Sequence, residues 1–306
     1  MVQHIPDRTF TDLMSIHSIE SFLKSEAEQG PFGVIMGYPV AQSLSPEMHN
    51  YAAQYHGLDF TYHRLEVHPD ELQRIREVIH HPNFVGANVT VPHKIDVANI
   101  LDDLSDEAAI IGAVNTIVKE GNRRIGYNTD ARGFFRPLEP HKERLSGRNA
   151  MIFGTGGATR AIVYALNQIG MEKIWLVARQ PQTIHVADFF ASKNIRTVSY
   201  KRWTTEADQV ELIINATPLG MIPDVDQSPI EEYEKDALIG KIVYDIVYKP
   251  IDTKLLQYSK QVMAETIDGV GMLVNQGAEA FRLWTGLEFP VDQIDARVRR
   301  ILNGSL

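Results

Sequence analysis

Apolar positions in this chain fall into short unbroken runs, separated by stretches where they recur every third or fourth residue. That alternation predicts strands buried on both faces between helices. The clearest run, Met151-Ile152-Phe153, breaks into Gly154-Thr155-Gly156-Gly157-Ala158 and then turns helical through Ile162, Val163, Ala165, Leu166 and Ile169. Gly170 closes that helix, and Lys173–Ala178 follows as a second buried strand. Glycines let the backbone approach a ligand, and the N–H groups of a first helical turn favour an anion. A pyrophosphate fits there, so this βαβ unit predicts a dinucleotide site, with Thr159 where the third glycine or alanine of the fingerprint usually stands.

Upstream, Phe10, Leu13, Met14, Ile16, Ile19, Phe22 and Leu23 predict an amphipathic helix in the first thirty residues. It would pack on the domain surface or on a second subunit, which keeps a homodimer open. Gly33–Gly37 predicts a buried strand, and Ser43-Leu44-Ser45-Pro46 opens a helix through His49 to His56, with Ser45 as N-cap and Pro46 at the first helical position. Capping accounts for Ser45 but not for Ser43, and two hydroxyls beside helix N–H groups also suit a carboxylate. Phe60–Val67 alternates as a strand, and Pro69 begins a helix running to about His80.

Gly86–Val91 reads as a strand whose carboxyl end delivers Asn88, Thr90 and Lys94, where open α/β sheets bind ligands. A solvent-facing edge with a solvated Lys94 is the plainer alternative. A helix is expected from about Ile95, a cap at Leu104-Ser105-Asp106, a strand at Gly112–Val118, a hairpin turn at Gly121-Asn122 and a strand through Arg124–Asp130. The domain boundary falls near Asp130 to Pro140. Beyond it the pattern predicts a helix over 184–191, strands at Arg196–Tyr200, Val210–Asn215 and Lys241–Tyr248, and a helical end from Gly269 through Phe281 and Trp284.

A length of 306 residues suits about two domains with their own cores. The net charge of −9, with no basic block, argues against nucleic acid as a partner and leaves small molecules. The absence of cysteine excludes disulfides and thiolate metal sites, and none of the eleven histidines has paired metal or triad spacing, so no metal is expected. His93 reads as structural more readily than catalytic. No apolar stretch has the length of a membrane helix and the first thirty residues lack a signal pattern, so the expectation is a cytoplasmic protein with no membrane partner.

If Gly154–Ala158 hold a pyrophosphate, the end of the next strand addresses the adenosine ribose. That strand ends Ala178-Arg179-Gln180, a cation in place of the carboxylate that would accept from a free 2′-hydroxyl. NADP is therefore expected over NAD. A nicotinamide cofactor needs a partner group that moves a hydroxyl proton, and Lys94 and Asp130 are ionisable residues at predicted strand ends ahead of the cofactor domain.

Seven ordered blocks now stand together: Ser43–Pro46, Asn88–Lys94, Gly112–Thr116, Asn128–Asp130, Gly154–Ala158, Asn215–Met221, and Gly269–Met272 with Gln276. In this order they resemble the shikimate dehydrogenase family, from about Phe32 to Pro290. The resemblance implies an α/β fold of two domains: an open, mostly parallel substrate domain (1–130, completed by helices in 267–306) and a Rossmann-type NADP-binding domain (131–266), with a cleft between them. It implies reversible reduction of 3-dehydroshikimate to shikimate with NADPH, a step of aromatic amino acid and chorismate biosynthesis. By position, Ser43 and Ser45 would bind the substrate carboxylate. Thr90, Asn115 and Gln276 would hold ring hydroxyls, with Asn88 and Tyr248 supporting, and Lys94 and Asp130 would be the catalytic pair. The cofactor would take Gly154, Thr155, Gly156, Gly157, Ala158, Arg179, Thr217, Ile246 and Gly269, with Asp106 near it.

The chain departs from the family in places. The usual Asn-Arg-Thr/Ser turn is Ala178-Arg179-Gln180-Pro181-Gln182-Thr183, which retains one cation and leaves NAD open as an alternative cofactor. Tyr38-Pro39 and Leu283-Trp284-Thr285-Gly286 are similar to the quinate/shikimate branch, Ala131 stands where glycine is usual, and the first thirty residues have no family counterpart. The alternatives are a quinate or mixed quinate/shikimate dehydrogenase and, from a different class, a non-catalytic cofactor- or metabolite-binding module. Retention of both Lys94 and Asp130 argues against the latter.

Overall fold

The structure, a computed structural model, describes residues 15–184 and 194–304. The chain divides into two compact units, each drawn from separate stretches of sequence. The first holds the described residues up to Ala109, Ala113–Asn128 and Ala280–Pro290; the second holds Ile110–Gly112, Thr129–Glu279 and the residues from Val291 onward.

In the first unit the strands are β1 (Ile16–His17), β2 (Phe32–Gly37), β3 (Thr61–Glu66), β4 (Phe84–Val89), β5 (Asp103–Leu104), β6 (Thr116–Glu120) and β7 (Arg123–Tyr127). They form one sheet in the order β1-β3-β2-β4-β6-β7-β5. β1, β3, β2 and β4 run parallel, β6 is antiparallel to β4 and to β7, and β5 is parallel to β7, so the sheet is open and mostly parallel as expected. The helices are α1 (Ile19–Lys24), α2 (Ser45–Tyr55), α3 (Ile75–Ile79) and α4 (Asp106–Ile111), the last two residues of which are grouped with the second unit. Phe22, Phe32, Val34, Met36, Ile75, Val78, Phe84 and Ile117 are core residues, fully or almost fully buried.

Residues 69–74 and 96–100 are 3₁₀ turns where helix was expected. Residues up to Met14 of the expected N-terminal helix lie outside the described residues; within them, α1 opens on Ser18, whose side chain accepts from Ser21 N–H. The expected cap at Ser105 is present, its Oγ accepting from Ala108 N–H at 3.1 Å.

The second unit begins with α5 (Asp130–Leu138) and α6 (Lys142–Leu145), then β8 (Asn149–Phe153), α7 (Gly157–Ile169), β9 (Lys173–Ala178), β10 (Ile195–Ser199), α8 (Thr204–Ala207), β11 (Leu212–Asn215), β12 (Ile242–Asp245), α9 (Lys254–Gln261) and β13 (Glu265–Ile267). α10 (Val270–Thr285) and α11 (Val291–Leu302) follow. All six strands are parallel, in the order β10-β9-β8-β11-β12-β13. The chain adds strands outward from β8 in one direction and then returns to add β11, β12 and β13 on its other side, which is the Rossmann order with its switch point between β8 and β11. Gly170 closes α7 in the left-handed region, φ 88°, as predicted for a C-cap glycine. The expected helix over 184–191 lies outside the described residues except for Ile184.

The expectation gave all of 267–306 to the first domain, whereas the compact units differ there: only Ala280–Pro290 joins the first. The reason lies in local contacts. A Cβ at Gly133 of α5 would sit 2.7 Å from the Gln276 side chain, one at Gly271 would sit 2.8 Å from Pro137, and Arg299 of α11 pairs with Asp268 at 2.7 Å.

Candidate active site

In the first unit, the candidate substrate residues gather at the carboxyl ends of β2 and β4 and the start of α2. Ser45 is the first helical residue of α2, and Leu44 is the N-cap, with no side-chain cap bond. The expected capping role of Ser45 is therefore corrected: Leu44 has φ −95° and ψ 5°, which carries the helical turn one residue upstream. The Ser43 and Ser45 hydroxyls lie 3.2 Å apart, with Ser45 N–H donating to Ser43 Oγ at 3.3 Å. Their loop is held from below. The buried Arg64 guanidinium donates to Ser43 O through Nε (3.1 Å) and Nη2 (2.7 Å) and pairs with buried Glu47 at 2.7 Å.

Asn88, the penultimate residue of β4, is fixed at three points: Tyr62 O–H donates to its Oδ1 at 2.7 Å, and its Nδ2 donates to Asn115 O (3.3 Å) and Thr116 Oγ1 (3.2 Å). Thr116 in turn donates to Asn115 Oδ1 at 3.0 Å, so Asn88, Asn115 and Tyr62 form one buried network with a set amide orientation. Thr90 follows β4, its N–H donating to Met36 O at 2.8 Å. Its methyl packs where any side chain at Gly37 would have to go. Lys94 is half-buried, and its carbonyl accepts from Val114 N–H at 2.6 Å. His93 is buried, with Nε2 bonded to Val67 O at 2.7 Å, which fits the structural role read for it.

In the second unit, Asp130 opens α5 as a buried carboxylate. Gly154 leaves β8 with φ 108°, and a Cβ there would meet Ala216 O at 3.0 Å and Thr217 Cγ2 at 3.1 Å. The two loops that follow β8 and β11 therefore touch at the switch point. A Cβ on Gly156 would meet nothing within 4 Å, so the turn ahead of α7 is open. Beside it, buried Asn215 accepts from Thr217 N–H (3.0 Å) and Thr217 Oγ1 (2.6 Å). Its amide donates to Asp245 Oδ1 (3.0 Å) and Leu219 O (3.1 Å). Asp245, at the end of β12, also accepts from Val247 N–H at 3.0 Å and Thr253 O–H at 2.6 Å. Burial pushes its pKa up to about 7 against those three hydrogen bonds.

Gly269 approaches Ile246 so closely that a Cβ would overlap the Ile246 carbonyl. Gln276, nearly buried on α10, donates to Leu273 O at 2.8 Å, and Arg179 stands exposed at the end of β9. Tyr248 is half-buried three residues past β12. Asp106 is exposed at the start of α4 and belongs to the first unit, while the other candidate cofactor residues belong to the second. Among the described residues no cluster of three or more His, Asp or Glu could hold a metal ion.

Comparison with known proteins gives the same assignment. Residues 35–117 match the shikimate dehydrogenase substrate binding domain, and residues 269–299 match the shikimate 5′-dehydrogenase C-terminal domain. The chain is 39% identical over 257 residues to the NADP⁺ shikimate dehydrogenase of Methanocaldococcus jannaschii, covering 83% of this chain and 91% of that protein. The chain belongs to the shikimate dehydrogenase family. Its fold is shared with family members of known structure. A shikimate dehydrogenase solved in complex with NADP⁺ superposes with a TM-score of 0.82 at 34% identity, over 90% of this chain and 96% of that one. A quinate dehydrogenase from Corynebacterium glutamicum, solved with NAD, superposes with a TM-score of 0.79 at 27% identity over 90% and 99%.

Residues that sequence reasoning missed are the supports: Tyr62, Arg64, Glu47 and Thr116 in the first unit, Asp245 and Thr253 in the second. The available signal was a polar residue ending a buried strand, as Asn215 and Asp245 do, since burial obliges such a group to find partners.

Proposed function

We propose that the protein is a shikimate dehydrogenase catalysing reversible, NADPH-dependent reduction of 3-dehydroshikimate to shikimate. The observation that carries this reading is the family match over most of both chains, in a sequence that keeps Lys94 and Asp130. Ser43 and Ser45, relieved of capping and mounted on the Arg64–Glu47 pair, hold the substrate carboxylate. Thr90, Asn115 and Gln276 hold ring hydroxyls, with Asn88 and Tyr248 in support. Lys94 relays the proton of the reacting hydroxyl and Asp130 orients it.

The open turn at Gly154–Ala158 takes the pyrophosphate against the start of α7, Thr217, Ile246 and Gly269 line the remaining path, with Asp106 near the cofactor, and Arg179 meets the ribose phosphate. When bound, the cofactor supplies or accepts the hydride. No described helix is long and apolar enough to cross a membrane. The test is absorbance at the nicotinamide band when the purified protein meets shikimate or quinate with NADP or NAD. Turnover of shikimate with NADP supports the reading, and turnover confined to quinate with NAD replaces it by the quinate reading that Tyr38-Pro39 and Leu283–Gly286 favour.

A further inference from the structure

By sequence the turn after β9 holds a single cation, Arg179, for a 2′-phosphate. The sheet supplies more. β10 is the parallel neighbour of β9, with Ser199 in register with Ala178, so Tyr200-Lys201-Arg202 leaves the sheet level with Arg179-Gln180. Arg202 N–H donates to Ser199 O at 3.0 Å, which closes a turn with Lys201 inside it. Tyr200 feels the neighbouring charge: burial raises the pKa of its hydroxyl while the Arg179 guanidinium pulls it back.

Arg179, Lys201 and Arg202 are all exposed, and none of the three has an ion-pair partner among the described residues. Lys201 also lines a surface groove with Glu231, Glu234 and Asp236, yet pairs with none of them; Glu234 is engaged by Trp203 Nε1 at 3.0 Å. Three cations brought to the carboxyl ends of two adjacent strands repel one another unless an anion joins them. At this end of a Rossmann sheet the adenosine ribose is the group that carries one.

We propose that Lys201 and Arg202, from the turn after β10, complete with Arg179 the site for a phosphomonoester dianion on the adenosine ribose, and so set the preference for NADP over NAD. The inference rests on the dinucleotide reading above and adds to it two residues that lie outside the seven sequence blocks. Both side chains are exposed, so their replacement leaves the core intact.

The test is calorimetric titration of the full chain with adenosine 2′,5′-bisphosphate and, separately, adenosine 5′-monophosphate, for wild type, Lys201→Ala/Arg202→Ala, Lys201→Glu/Arg202→Glu and Arg179→Ala. The expected result is a loss of about tenfold or more for the bisphosphate in the double-alanine variant, a larger loss in the double-glutamate variant, and monophosphate affinity within about twofold of wild type. The salt dependence of bisphosphate binding should fall as well. Unchanged bisphosphate affinity in both double variants, with a loss in Arg179→Ala, overturns the proposal and leaves NADP binding standing on Arg179 alone. A wild type that binds the two probes equally overturns this proposal and the NADP assignment together.

Discussion

His49 sits inside an aromatic box, stacked on Tyr62 with ring centroids 4.5 Å apart and flanked by Trp284 at 5.0 Å and Phe289 at 5.7 Å. Burial drives its pKa down to about 3, against a smaller opposing effect of the Asn88 side chain. An imidazole in that state is neutral near pH 7 and packs beneath Tyr62 and Asn88 as an aromatic plate. Its folded pKa lies below its unfolded one, so its contribution to stability is present above about pH 6.5 and lost as pH falls towards 3. His49→Phe should flatten that part of the stability–pH curve, and an NMR titration giving His49 a midpoint near 6.5 would contradict the account. The proposed function gives Lys94 the proton relay and the serine pair the substrate carboxylate. Lys94→Ala should lower kcat far more than it raises KM, because a proton relay acts in the transition state; a change in KM alone would sink that role. Ser43→Ala with Ser45→Ala should raise KM for carboxylate substrates, each lost bond to a charge being worth about 1.5–3 kcal/mol. An unchanged KM would mean that the hydroxyls hold only each other.

Between β11 and β12, a buried carboxyl group joins the loops that follow the two strands. Asp245 receives the Asn215 amide, the Val247 N–H and the Thr253 hydroxyl, while Asn215 receives Thr217, so one buried carboxyl group positions both the 216–221 and the 246–250 segments. Its pKa near 7 lies above the unfolded value, so its stabilising contribution is full below about pH 4 and is lost as pH rises through 7. Asp245→Asn should remove that decline and weaken NADPH binding, read by cofactor fluorescence. Retained affinity together with an unaltered pH–stability curve would show the hub to be dispensable. Gly154→Ala should weaken NADPH as well, since φ 108° strains an L-residue and the added methyl presses on Ala216 O.

Elements of this kind divide cleanly in how far the sequence announces them. β8, β9 and β12 are apolar runs bounded by glycine, charge or proline, and their strand character is readable residue by residue. β1, β5 and β13 are two or three residues long and carry no period; only their neighbours in the sheet define them. The proposed binding side chains are readable because they sit in short motifs. Tyr62, Arg64 and Asp245 are not, because what makes each of them matter is a partner that only folding brings alongside. The Tyr200–Arg202 turn was invisible for a related reason: nothing in the sequence says that β10 ends level with β9.

At the scale of the molecule, each unit owns a sheet and a core, and ligand binding should stabilise the one that holds it. NADPH at about a hundredfold its dissociation constant should add about 2.7 kcal/mol to the unit it binds, a rise in Tm of several degrees in a calorimetric scan. NAD at the same concentration should raise it less. Equal shifts would argue against a charge-reading ribose site.

Trp284 belongs to the short segment Ala280–Pro290 that returns to the first unit. Its indole fills the space above Gly86, donates to Ile117 O at 3.0 Å and walls the His49 box with Phe281 and Phe289. A ribosome delivers Asn128 and then makes the whole of Thr129–Glu279 before Ala280 emerges, a delay on the order of ten seconds at ordinary elongation rates. For that interval the newborn sheet carries a bare aromatic face around His49, the kind of surface that chaperones hold and that aggregates when they do not. The segment Ala280–Pro290 thus makes the finishing of the first unit wait until the whole of Thr129–Glu279 has been made.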